Sequence, residues 1–89
     1  MANFPGGSAY SMVRDVAEGY LLVTERTFQR LLGPEMDQLA FEIDRYTREL
    51  RGEQPAIDDM AAIQQKNRRI QRLTTCVMML RAYRQRRRV

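Results

Sequence analysis

The sequence predicts an all-α fold, a helical hairpin with one further helix beside it. Three observations predict it. Apolar residues recur at three- and four-residue steps through three long segments, the period of one helical face. Gly and Pro cluster at only three places, Pro5-Gly6-Gly7, Gly33-Pro34 and Gly52 to Pro55, and the last two set a helix-stopping Gly ahead of a Pro suited to a first helical turn. The β-prone stretch Tyr20 to Thr24 has no second strand to pair with. At 89 residues the chain is read as a single helical domain over 9–89, behind a leader of small and turn-forming residues at 1–8 and ending in a basic tail at 81–89. A domain of this size buries only about 60–65% of its unfolded surface, so burial against a partner would add stability.

The first segment runs from about Ala9 to Leu32. Val13, Val16, Tyr20, Val23, Thr27 and Leu31 form its apolar face, and Gly19 is the point at which the helix would break. The second segment, from Pro34 to Arg51, carries Met36, Leu39, Ala40, Ile43, Tyr46 and Leu50 on one stripe. Its other side holds Glu42, Asp44, Arg45 and Arg48 at spacings that favour pairing along a helix. Phe41 falls nearly opposite the stripe and is a candidate contact residue. The third segment begins near Ile57 or Asp58 and reaches about residue 86. Asp58 and Asp59 suit the positive end of a helix, and the terminal arginines suit the negative end. Ile63, Lys66, Ile70, Leu73, Val77 and Leu80 follow a heptad step, the seam of coiled-coil-like packing. Lys66 reads as a snorkelling side chain and Asn67 as a register-setting amide. The second and third segments, about 34–51 and 57–86, then pair as antiparallel neighbours. At about 30 residues the third helix is some 45 Å long and outruns its partner, so its end meets the first helix or another chain.

Charge is segregated along the chain. Residues 1–59 carry six arginines against eleven carboxylates, a net charge of −5. Residues 60–89 carry Lys66 and eight arginines with no acid, a net charge of +9. Such a division implies an internal electrostatic match, an acidic partner, or both.

The composition argues against catalysis. The chain has no His and a single Cys, which removes Ser-His and Cys-His pairs and leaves no zinc-ligand set. No Gly-rich phosphate loop follows a strand. The expectation is a non-enzyme with no cofactor and no metal. Cys76, inside an apolar run, reads as a small buried hydrophobe, and a lone Cys fits a reducing, intracellular setting, cytoplasmic or nuclear. No apolar stretch approaches the ~20 residues of a membrane span.

Candidate binding residues concentrate at the C-terminal end. From Cys76 to Leu80 the helix is apolar all round, which calls for burial on several sides. Ile70, Leu73, Val77, Met78, Met79 and Leu80, with Phe41, are therefore the expected protein interface, toward another helical protein or a second copy of the chain. Arg68, Arg72, Arg81, Arg84, Arg86, Arg87 and Arg88 offer forks that suit carboxylates and phosphates alike, and Tyr83 could stack on a base. They are candidates for an acidic protein surface or for nucleic acid.

"NRRIQRLTTCVMMLRAYRQR", residues 67–86, resembles the long Arg-rich helix in the helical domain of GINS replication-complex subunits. There an Arg-Ile step precedes spaced leucines and a Leu-Arg pair, to which Arg69-Ile70, Leu73 and Leu80-Arg81 correspond. The resemblance covers about a quarter of the chain and does not extend to that family's small β domain. It implies a helical, non-catalytic subunit of a multiprotein assembly, including one that works near DNA. The reading reached is an interaction subunit acting by helix-helix docking, with a small basic DNA- or RNA-binding protein as the alternative.

Overall fold

The computed structural model of the chain describes Phe4 and residues 7–87, with Arg87 in its backbone only. Four helices follow in order: α1 (Ala9–Glu18), α2 (Glu25–Gln29), α3 (Gly33–Gly52) and α4 (Met60–Arg87). The described residues contain no strand. The all-α hairpin with a helix beside it is the observed architecture. α3 and α4 pack as the hairpin, α1 lies against both, and α2 touches α4.

The first segment is two helices rather than one. Ser8 opens α1 by accepting the Ser11 N–H on its hydroxyl at 3.1 Å, the usual office of an N-cap serine. Gly19 closes it with φ +83°, in the left-handed region that a Cβ disfavours. The Gly19 N–H donates to the Val16 carbonyl at 3.1 Å and the Tyr20 N–H to the Asp15 carbonyl at 2.9 Å, the paired bonds that terminate a helix at such a glycine. The chain then runs without regular secondary structure to Thr24, which is extended and precedes α2. This break turns Tyr20 out to 81% exposure, although the periodicity had placed it on the buried face. Val13, Val16, Val23 and Leu31 are buried as expected.

α3 starts at Gly33-Pro34, where the Leu32 N–H donates to Glu35 Oε1 at 2.9 Å. Its stripe is as read: Leu39, Ile43 and Leu50 are buried, and Met36, Ala40 and Tyr46 pack against the core. α4 begins at Met60 rather than at 57 or 58, because Asp59 serves as its cap and accepts the Ala62 N–H at 3.1 Å. Lys66 does more than snorkel. Its Nζ donates to the carbonyls of Glu53 at 2.6 Å and Arg51 at 3.5 Å, supplying donors where the end of α3 leaves carbonyls without helical partners. Asn67 is exposed, away from the seam.

The core joins Met12, Val13 and Ala17 of α1, Phe28 of α2, Leu39 and Ile43 of α3, and Leu73, Cys76 and Leu80 of α4. Phe4 of the leader is buried with them, which its turn-rich surroundings in the sequence did not suggest. The remainder of that leader, residues 1–3, 5 and 6, lies outside the described residues. The molecule measures 48 × 27 × 19 Å. Its shortest dimension is about two helix diameters, so α1 covers one side of the hairpin and, among the described residues, no second layer covers the other.

Candidate functional site

The basic half of the chain is bound largely to the acidic half. Arg69 meets Glu18 at the end of α1, with Nη2 donating to Oε2 at 3.2 Å and Nε 3.0 Å from Oε1. Arg72 Nη1 donates to the Ala17 carbonyl at 2.9 Å. Both cations sit at the negative end of the α1 dipole, where positive charge is favoured. Arg84 Nη1 lies 2.6 Å from Asp37 Oδ1 on α3, and Arg86 pairs with Glu25 on α2. The charge segregation of the sequence therefore acts as an internal match.

This placement divides the expected anion-binding residues. Arg72, Arg84 and Arg86 are engaged within the fold. Tyr83 is buried to 6% exposure, its ring centroid 5.7 Å from that of Phe28. A base cannot stack on a ring already enclosed in the core, so that expectation is corrected. Arg68 and Arg81 are exposed and make no ion pair among the described residues. They leave α4 on different sides, nearly half a turn of the helical wheel apart. Arg88 and the Arg87 side chain lie outside the described residues.

The expected protein interface divides in the same way. Leu73 and Leu80 are 0% and 1% exposed, so the chain's own helices take the place foreseen for a partner. Met79 is half-buried against the core, beside a cavity of about 370 Å³ bounded by Val16, Leu21, Arg72 and Cys76. Burial pushes the Cys76 thiol up to about 11, so at neutral pH it is an unionised hydrophobe rather than a nucleophile. Phe41 and Met78 remain 59% and 63% exposed, and Val77 and Ile70 are half-buried.

Of these, Val77 lines a groove, and Phe41 and Met78 sit one position along from residues that line it. On the side of the hairpin away from α1, α3 and α4 enclose a groove of about 470 Å³. Ala40, Ile43, Leu73, Val77 and Leu80 give it an apolar floor, and Asp44, Arg51, Arg81 and Arg84 stand along its edges. Phe41 follows Ala40 and Met78 follows Val77, so each helix carries one large exposed apolar side chain just outside the groove. Of the residues that line the groove, the sequence had singled out Leu73, Val77, Leu80, Arg81 and Arg84 as contact candidates and Ala40 and Ile43 as stripe positions, but not Thr47, Arg51 and Thr74. The signal for the α3 wall was the 40, 44, 47, 51 series, a helical row on the flank of the apolar stripe.

Among the described residues no group of three or more Cys, Asp or Glu side chains is placed to hold a metal ion, and no helix is long and apolar enough to cross a membrane. Comparison of the chain with protein families, with curated proteins and with solved structures yields no match.

Proposed function

We propose that this chain is a non-enzymatic interaction subunit of an intracellular assembly, and that it docks a helix of another protein on the open α3–α4 face. The observation that carries this reading is the open groove itself, with an apolar floor of Ala40, Ile43, Leu73, Val77 and Leu80, next in sequence to Phe41 and Met78, both more than half exposed. Each is a large apolar side chain presented to water beside others only half covered, the arrangement of contact sites rather than of ordinary surface. Methionine adapts its shape to a partner at low cost, and an aromatic anchor is what interface centres favour. The resemblance of residues 67–86 to the Arg-rich helix of GINS subunits agrees in kind with a helical component of a larger complex. The DNA- or RNA-binding alternative is the weaker reading, because Arg72, Arg84 and Arg86 already have partners and Tyr83 is enclosed.

The test is site-specific photocrosslinking in the source cells, with the crosslinker at Phe41, at Met78 or at exposed Arg14 on α1. Docking on this face gives a defined protein adduct from positions 41 and 78, stable to nuclease, and none from 14. Equal adducts from all three positions, or adducts to nucleic acid alone, would refute it.

A further inference from the structure

The groove also specifies what kind of helix it takes. We infer that its occupant is an amphipathic helix of another protein that carries carboxylates near both ends of its apolar stripe and none at the middle. This rests on the docking reading above and adds the chemistry of the partner.

The edges of the groove hold three arginines and one carboxylate. Two of these four are already answered from within the chain. Asp44 Oδ2 lies 3.0 Å from Arg48 Nη2 one turn along α3, and Arg84 is held by Asp37. Arg51 and Arg81 make no ion pair among the described residues. Both are exposed, and each can present a guanidinium fork to a carboxylate arriving along the groove.

Their separation follows from the pairing of the helices. The hairpin is pinned at one end by Arg84 on Asp37 and at the other by Lys66 on the Glu53 carbonyl. In that register Arg81 stands level with Ala40. From Ala40 to Arg51 is about 17 Å at the helical rise of 1.5 Å per residue. An incoming helix lying along the groove would reach both arginines with carboxylates about eleven residues apart, three turns on one face. Between them it would set apolar residues on Ala40, Val77 and Leu80 and between Phe41 and Met78. A carboxylate at its middle would face Asp44, a like charge, and be disfavoured.

A second copy of this chain is a poorer fit. Among the described residues, α4 has no acid beyond its cap. On α3, Asp37, Glu42 and Asp44 are already matched by Arg84, Arg45 and Arg48 and Glu35 accepts the Leu32 N–H, which leaves Glu49. Neither helix presents two unanswered carboxylates at the required spacing.

The full-length chain can be titrated, by fluorescence anisotropy at physiological salt, with a labelled helical peptide of about 17 residues. It has Leu on one face and Glu at two positions eleven apart on that face. A matched peptide carries Lys in place of both Glu, and a single-stranded RNA serves as a third probe. The Glu peptide should bind about tenfold more tightly than the Lys peptide and lose affinity as salt rises. The double variant Arg51→Glu/Arg81→Glu should reverse that preference. Phe41→Ser/Met78→Ser, which alters only exposed side chains, should weaken both peptides while circular dichroism is unchanged.

Equal binding of both peptides, lost in Phe41→Ser/Met78→Ser, would overturn the acidic partner and leave docking on this face intact. Tighter binding of RNA than of either peptide, or self-association in sedimentation that Phe41→Ser/Met78→Ser abolishes, would overturn it in favour of another occupant. Failure of the folded chain to bind either peptide would overturn it too, while the crosslinks from positions 41 and 78 separately decide whether the face docks a protein at all.

Discussion

Gly19→Ala tests how α1 is fastened to α4. Two costs meet at this position. The backbone is left-handed, at φ +83°, which disfavours Ala by about 1 kcal/mol. A Cβ built there would also lie 3.0 Å from Cζ of Arg72 and 3.1 Å from its Nη1. Those atoms end a flexible side chain, so the guanidinium moves aside rather than the helix. In moving, Arg72 gives up its 2.9 Å bond to the Ala17 carbonyl, a charge-assisted contact at a partly buried site worth about 1 kcal/mol. The expected loss is therefore about 2 kcal/mol in the wild-type background. In an Arg72→Ala background only the backbone term remains, and the same substitution should cost about 1 kcal/mol. Urea titrations of the four proteins, followed by circular dichroism, measure the difference as a double-mutant cycle. Equal costs in the two backgrounds would mean that Arg72 does not cap α1, and the assignment of this arginine to the fold would be wrong.

Other perturbations have equally definite outcomes. Burial raises the Cys76 thiol from 9.0 to about 11, so between those pH values the unfolded chain ionises while the folded one does not. The contribution of Cys76 to stability should be level below about pH 9 and fall by roughly 2–3 kcal/mol by pH 11. Cys76→Ala should remove that part of the decline, leaving any due to Tyr46, whose hydroxyl is also raised, chiefly by burial and then by Glu18. Phe28→Ala should cost about 3–5 kcal/mol, because its ring is fully buried against Tyr83; a loss below 1 kcal/mol in thermal unfolding would contradict that packing. Lys66→Met keeps the stem and removes the donor to Glu53 and Arg51, and should lower stability by about 1 kcal/mol as read by denaturant midpoint. If Lys66→Met is neutral, the lysine merely snorkels.

The sequence showed the hairpin well because α3 and α4 obey one period from end to end. Leu39, Ile43 and Leu50 face Leu73 and Leu80 with no local signal pulling against them. The first segment was harder, because its apolar residues keep a helical rhythm across Gly19. Rhythm reports burial, and Val23 and Leu31 are buried in the link before α2 and after α2 just as they would be on a helix face. The misplacement of Tyr20 followed from that. The candidate site was legible as far as exposure goes, at Phe41 and Met78. It was misread where a long-range contact decides the role. Nothing near Arg72 in sequence points to the carbonyl of Ala17, nor near Tyr83 to Phe28, and Arg51 gained its place only when α4 came alongside. The apolar run at Cys76 to Leu80 similarly could not say which neighbours would cover it. In the folded chain Leu80 is covered by the chain itself, whereas Met78 remains exposed.

The exposed link between α3 and α4 gives the molecule a natural seam for division. Residues 53 and 54 and 56–59 are exposed, and the acid-bearing helices lie before them, the basic helix after. Cut there, the chain yields an anionic fragment and a cationic one that share Leu39 and Ile43 with Leu73 and Leu80 as a common core, and that meet through Glu18 with Arg69 and Asp37 with Arg84. Opposite charge speeds their encounter and apolar burial holds them. Fused to the halves of a reporter, the two pieces would form a split-protein pair whose reassembly is fastest at low salt.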